Sequence, residues 1–437
     1  MRTFLKYFVI FFAALTTASC GPSEKADTTT LTVWHWMSDR EEAFNELAER
    51  FTQETGQKVK FELFAPSEAY SQRVKASAQT STLPDIYGVL GESRDFASFI
   101  RSGYIEDLSQ ALSQPGVDGH VWKETLFEKA LAVNTFAPGN EFGIPPGIYG
   151  VPLDVTTIQM LYNKTLYKKA GLDPANPPKT WEEFVGHASI LREAGIPRFV
   201  GGFGEIWMLD ALASNLAMNL MGEEKVFDTY RGKVPYTDPD WVKVLSYFKQ
   251  MADEKILVEG AVTMVNKTAE QTFANERAAY AFNGSWSVNV YKGMNPALDY
   301  EAMLPPSVSS QYPPRIWGGA GGSFVVNAKT PRKDAAIGFL KWLTAEKQQT
   351  FLAEKTENLP SNRRSMTKIS PLLASFADDM DNATHPNIYP VHEDPALIEA
   401  FDKGIQSILI GEKKPLEVAQ EVQKAKDKAE AKRSAAA

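Results

Sequence analysis

Two hydrophobic periods alternate along the first part of the chain. In Leu31-Thr32-Val33-Trp34-His35-Trp36, β-branched and aromatic residues crowd consecutive positions, which predicts a strand. Phe44, Leu47, Ala48 and Phe51 then recur at helical spacing, the apolar stripe of a helix packed by one face on a sheet. Ser38 and Glu41 have the spacing of a capping box before that helix, and Gly56 is placed to end it. Val59, Phe61 and Leu63 alternate as a second strand, a helix is predicted over 69–79, and a third strand over 85–90. The order β-α-β-α-β predicts a parallel sheet covered by helices.

The pattern restarts after the Gly- and Pro-rich stretch 143–152. Ile158 to Tyr162 reads as a strand. Thr180 and Glu183 form a second capping box, followed by Phe184, Ala188 and Leu191 on one helical face and Gly195 as its end. Alternation continues to about Met303. Pro305-Pro306, a glycine cluster at 318–322 and a strand from Ser323 to Asn327 come next, and helices dominate from Ala335. Residues 424–437, charged or small, predict a solvated helix end that frays.

Composition narrows the class. A length of 437 residues favours two or more domains. With 43% hydrophobic and 23% charged residues, the chain is neither a disordered chain nor a multispanning membrane protein. The net charge of −8 and the lack of a basic run exclude nucleic acid as an expected partner. Cys20 is the single cysteine, so no intramolecular disulfide forms. Arg2 and Lys6, the apolar run Tyr7 to Leu15, and the small residues Thr16-Thr17-Ala18-Ser19 before Cys20 read as a secretory signal. The apolar run is too short for a membrane-spanning helix of about 20 residues. Residues 1–20 are thus expected to be a lipoprotein signal ending in a lipidated Cys20, and 21–30 a polar tether.

The common catalytic constellations are missing. There is no G-x-S-x-G elbow, Walker loop or dinucleotide fingerprint, and Gly318 to Gly322 lacks the lysine of a phosphate loop. His35, His120, His187, His385 and His392 are scattered without metal-ligand spacing. No catalytic residue, metal or cofactor is expected; the enzyme alternative is a secreted glycosidase, whose paired carboxylates a sequence does not reveal.

Several motifs occur in a fixed order: Leu83-Pro84-Asp85-Ile86; Tyr149-Gly150-Val151-Pro152 through Leu161-Tyr162-Asn163-Lys164; Lys169-Ala170-Gly171-Leu172; and Pro178-Lys179-Thr180-Trp181-Glu182-Glu183-Phe184. Asn283-Gly284-Ser285-Trp286, Gly318 to Gly322, Ala335-Ala336 with Phe339-Leu340 and Gln348, and Leu359-Pro360-Ser361 follow. In these motifs the chain resembles the extracellular solute-binding proteins of family 1, the group of maltose-binding protein and many sugar-binding lipoproteins. The resemblance implies an α/β, two-lobe periplasmic-binding-protein fold of type II, with discontinuous lobes joined by a hinge and a ligand cleft between them. By analogy one lobe comprises 31–150 and 306–345, and the other 151–305 and 346–437. It further implies a monomer that captures a carbohydrate by hinge closure and delivers it to the permease of an ATP-driven importer, held at the membrane by its lipid anchor. A non-sugar solute (a glycerol phosphodiester, a uronate oligomer or a polyamine) is the alternative on the same fold.

Sugar capture needs aromatic faces for the C–H surfaces and polar groups for the hydroxyls. Trp34, His35 and Trp36 end the first strand, where open α/β sheets place ligands; alternation puts the two indoles on one side and His35 on the other, with core packing as the alternative. Glu68 and Tyr70 at the next helix start, and Glu92 after the third strand, are candidates, as is Asp154, which either faces the cleft or makes a hinge hydrogen bond. Phe203 and Trp207 follow Gly201-Gly202. Asn283, Gly284 and Trp286 match the family's stacking segment, and Arg315, Trp317, Gly318 and Gly319 complete the ligand-binding set. The remaining tryptophans, 122, 181, 241 and 342, are expected to be structural.

Overall fold

The structure, a computed structural model, describes residues 29–436 apart from 66, 90–92, 141, 206, 378–382 and 385–392. The predicted signal, Cys20 and most of the tether lie outside the described residues. Two sheets carry the architecture. The first runs Val59–Leu63, Leu31–His35, Ile86–Val89, Ser323–Val326, Val151–Pro152. Its first three strands are parallel, with Val33 opposite both Phe61 and Ile86, as the β-α-β-α-β pattern predicts. Ser323–Val326 joins antiparallel to Ile86–Val89 and to Val151–Pro152. The second sheet runs Ala383–Thr384, Ile316–Ala320, Asp154–Asn163, Tyr280–Gly284, Phe199–Gly201, with Tyr300–Met303 and Leu359–Pro360 also paired to Asp154–Asn163. Every residue of Asp154–Asn163 is buried, which fits a strand enclosed on both faces.

Local sequence explains the packing. The helix Glu41–Thr55 buries Ala43, Phe44, Leu47, Ala48 and Phe51 and ends where Gly56, at φ 76°, donates its N–H to Thr52 O at 2.8 Å. Phe44 stacks on Phe61 with ring centroids 4.6 Å apart, so truncating it would cost about 3–5 kcal/mol. The capping box expected at Ser38 does not form. Ser38–Arg40 is a 3-10 turn, and the helix starts at Glu41 without a side-chain cap. The box at Thr180 does form: its hydroxyl accepts from Glu183 N at 3.2 Å while the Glu183 carboxylate accepts from Thr180 N at 3.3 Å. Trp122, Trp181, Trp241 and Trp342 are buried, and each indole N–H finds a partner (Thr344, Gln250, Thr229 and Glu54, in that order).

The chain end departs from expectation. Pro415–Ala436 is a helix whose Val418, Ala419 and Val422 are buried with Leu397, Phe401, Ile405 and Ile408 of the helix Pro395–Leu409. Lys426, in the stretch expected to be a solvated end, is enclosed; its ammonium meets Glu393 at 2.6 Å and donates to Tyr230 O at 2.8 Å. The apolar stripe one turn earlier pulls this lysine inward with it.

Strand membership also moves the division between the lobes. Ile316–Ala320 pairs with Asp154–Asn163, so the second crossing falls at Gly321-Gly322 rather than at 306. The helix Glu346–Thr356 contributes Leu352 to the first sheet's core, and its Lys355 pairs with Glu42 at 3.1 Å. The chain therefore crosses between sheets at Leu153, at 321–322 and between 357 and 359. Pro152 lies opposite Ser323, which lies opposite Val89, so the carboxyl ends of the parallel strands point to the crossings. In the second sheet, Gly284 and Trp317 both lie opposite Ile158, near the hinge end of Asp154–Asn163. Both sheets thus offer their carboxyl strand ends to one cleft, the place where open α/β sheets bind ligands.

Candidate functional site

On the second lobe, Tyr280–Gly284 runs out into Ser285-Trp286, and Phe199–Gly201 runs out into the glycine loop before Trp207. Trp286 lies flat over Gly284, so closely that a Cβ there would occupy its ring; glycine is required for this pose. The Trp286 indole N–H donates to Glu270 Oε1 at 3.3 Å, and the Trp207 N–H to Glu205 Oε2 at 3.3 Å. The two rings are 6.1 Å apart at 53°. Trp207 is 39% exposed and Trp286 half-buried, so both indoles are fixed by their edges while part of their surface stays open.

Those carboxylates are themselves held. Glu270 Oε1 also accepts from Asn266 Nδ2 at 3.0 Å and from Asn283 Nδ2 at 3.2 Å; Glu205 Oε1 accepts from Asn266 N at 2.7 Å. Asn283 is buried, and besides Glu270 its amide donates to Tyr291 Oη at 3.0 Å and accepts from Gly284 N at 2.9 Å. It positions Glu270 and the strand end and stays inside the fold. Burial raises the Glu270 pKa, against the Asn283 and Trp286 donors; the nearby Glu205 charge raises it further. Sequence reasoning missed Glu270, although Ala269, Phe273 and Ala274 place an acidic residue inside a buried helical stripe, which was a usable signal.

Phe203 is different. It is fully buried, fills the space over Gly201 and stands edge-on to Phe199 at 5.9 Å. The glycines before it admit its ring to the core, which takes it out of the cleft set.

On the first lobe, Trp36 is half-buried, resting on Gly88, where a Cβ would come within 2.5 Å of the ring. Tyr70 packs against it at 5.2 Å and is enclosed; its hydroxyl donates to Gly88 O at 2.7 Å and reaches Trp34 O at 3.2 Å. Tyr70 therefore buttresses Trp36 from within. Trp34 lies on the same side, as alternation predicts, but in the core: its N–H donates to Glu62 Oε2 at 2.8 Å and its ring lies under Arg73 and beside Phe64. His35 points to the opposite face, fully buried edge-on to Phe44 and Phe61, and burial first, then the Arg40 charge, lower its pKa to about 4. Neither Trp34 nor His35 is placed to meet a ligand. Glu68 stands in the first turn of the helix Ser67–Thr80, with its side chain outside the described residues, as is Glu92 altogether.

At the crossings, Asp154 is enclosed. It forms an ion pair with Arg40 and accepts from Gly322 N at 2.7 Å, so of its two expected roles the structure takes the hinge one. Gly318 and Gly319 are buried in the sheet opposite Thr157 and Thr156. Trp317 is half-buried on the second lobe's core, and Arg315 is half-buried one residue before the strand. Trp36 is thus left partly open at the carboxyl strand ends of the first sheet and Trp207 and Trp286 at those of the second, with Arg315 and Trp317 on the strand leading to the hinge. Among the described residues no group of three or more His, Cys, Asp and Glu is arranged to hold a metal ion, and no helix is long and apolar enough to cross a membrane.

Two α/β lobes, discontinuous in sequence and joined by crossing strands over a cleft, define a type II periplasmic-binding-protein fold. The chain belongs to the bacterial extracellular solute-binding proteins, whose family model matches residues 37–350. Among its relatives, an uncharacterized ABC transporter extracellular-binding protein of Pyrococcus horikoshii is 23% identical over 406 residues, 90% of this chain and 86% of that one. The multiple sugar-binding protein of Streptococcus mutans is 22% identical over 360 residues, 79% of each chain. A solved chitin oligosaccharide binding protein superposes with a TM-score of 0.75 at 20% identity, covering 92% of this chain and 99% of the other.

Proposed function

We propose that the protein captures a carbohydrate, an oligosaccharide in the first instance, between its lobes and passes it unaltered to the permease of an ATP-driven importer. The observation that carries this reading is the pair Trp207 and Trp286, whose N–H edges are tied to carboxylates while part of each ring surface remains open at the strand ends. A π-face takes the weakly positive C–H surface of a sugar ring, and fixing the indole beforehand lowers the entropy lost on binding. Trp36, buttressed by Tyr70, supplies the facing half-site. A ligand touching both halves favours the closed form. Converting a mostly open population to a mostly closed one takes about 5 kcal/mol of differential binding. The sugar-binding relatives support the same ligand class.

Glu205 and Glu270 weigh against the anionic alternatives. A phosphate or uronate at the Trp207–Trp286 pair would lie beside the Glu205 carboxylate and above the buried Glu270, whereas hydroxyl or amine donors would be favoured. Cys20 is proposed as the lipidated first residue of an exported monomer. Replacing it with Ser should release the protein from the membrane fraction. Calorimetry against neutral and acidic oligosaccharides, with product analysis of the same samples, tests the main reading. Saturable binding of an unaltered neutral sugar is expected; cleavage of the sugar, or preference for the acidic set, would overturn it.

A further inference from the structure

The hinge carries one polar cluster that touches all three crossings. Asp154 opens the second sheet's long strand at the first crossing. Its Oδ1 accepts from Gly322 N at 2.7 Å, and its main-chain oxygen accepts from Gly321 N at 3.2 Å, which binds the second crossing to the first. Gly321 must lack a side chain, since a Cβ would come within 2.7 Å of Asp154 Oδ1 and closer still to Thr156 Oγ1. The third crossing reaches the same group by two routes. Pro360 pairs with Asp154 in the sheet, and Asn358 Nδ2 donates to Asp39 Oδ2 at 3.3 Å.

Arg40 joins these contacts. Its Nη1 pairs with Asp154 and its Nε lies 3.4 Å from Asp39 Oδ2. Both Arg40 and Asp154 are nearly enclosed, with 8% and 2% of their side chains exposed. Arg40 comes from the 3-10 turn of the first lobe, and Asp154 from the first residue of the second sheet. A guanidinium offers several donors in a rigid fork, so one side chain serves two acceptors with fixed geometry. None of these groups belongs to the Trp36, Trp207 and Trp286 set.

We infer that Arg40 is the positioning residue of the hinge: by pairing with Asp154 and Asp39 it ties the three crossings into one pivot and holds the ligand-free molecule in a single arrangement of lobes. Separate crossings would flex separately, and the two half-sites would meet at variable offset. Tied together, they leave one axis of motion. The inference rests on the two-lobe fold and is independent of what the cleft binds.

The test needs no ligand. In a Cys20→Ser background, spin labels are placed at Gln79→Cys on the first lobe and Lys243→Cys on the second, both exposed helical positions. Inter-label distances are then measured by pulsed electron paramagnetic resonance. The parent should give one narrow distance peak. The double variant Arg40→Gln/Asp154→Asn removes both buried charges together, keeps an acceptor for Gly322 N, and should split or broaden that peak while circular dichroism stays native. Removing one charge alone would strand the other and destabilise the fold. Should the double variant fail to fold, Asp39→Asn decides, because Asp39 is 42% exposed and its loss weakens only the tie to the third crossing; a broadened peak is expected there too. A peak of parental width in the folded double variant, or in Asp39→Asn where that variant decides, would overturn the inference.

Discussion

At the scale of single residues, side-chain surface left open separates the proposed binding groups from core groups. Trp286 is half-buried and anchored by one edge, so Trp286→Ala should abolish tight sugar binding in calorimetry while the melting temperature stays nearly unchanged; a large fall in melting temperature would make it a core residue. His35 shows the opposite behaviour. Folding holds its pKa near 4, below the ordinary 6.5, so the unfolded chain binds the proton first as pH falls. Stability from this neutral histidine is complete above pH 6.5 and is lost as pH falls toward 4, by up to about 3 kcal/mol. His35→Leu should flatten that acid slope in pH-dependent thermal melts. The open surface of Trp207 was legible in the sequence because so open a loop leaves an indole few ways to be buried. The burial of Glu270 was signalled by its helical stripe, but its role was not, because that role arises from Asn266, Asn283 and Trp286 meeting it from separate stretches of chain.

Among elements, the helices that cover the second lobe hold a further titrating pair. Asp210 of the helix Trp207–Tyr230 and Asp402 of the helix Pro395–Leu409 are buried, and neither Asp402 oxygen has a hydrogen-bond partner among the described residues. Burial drives both pKa values up, and the Asp402 charge adds to the rise at Asp210; Asp402 reaches about 8. Here the folded state keeps the proton that the unfolded state loses near pH 4, so stability falls as pH rises from about 4 to about 8. Asp402→Asn should therefore raise the melting temperature at pH 8 and change it little at pH 4, and an equal shift at both would refute the titration. The two candidate helix starts differ for a physical reason. Thr180 is extended and free to cap, whereas Ser38 is taken into a 3-10 turn that carries Arg40 toward the hinge. Local spacing alone does not distinguish the two.

For the molecule as a whole, the parallel order of the first strands and the two-lobe plan were legible, because hydrophobic period and motif order both survive in the chain. The second crossing was not. Ile316–Ala320 holds two glycines, so it lacks the side-chain alternation that marks a strand, and the boundary at 306 rested on analogy with the family alone. Two hinged lobes that close over an unmodified carbohydrate must contract on binding and release the sugar intact. X-ray scattering of the protein with and without an oligosaccharide that saturates it in calorimetry, followed by chromatography of the recovered sugar, tests this most directly. A smaller radius of gyration at saturation with intact sugar is the predicted result; an unchanged radius, or a cleaved sugar, would contradict it.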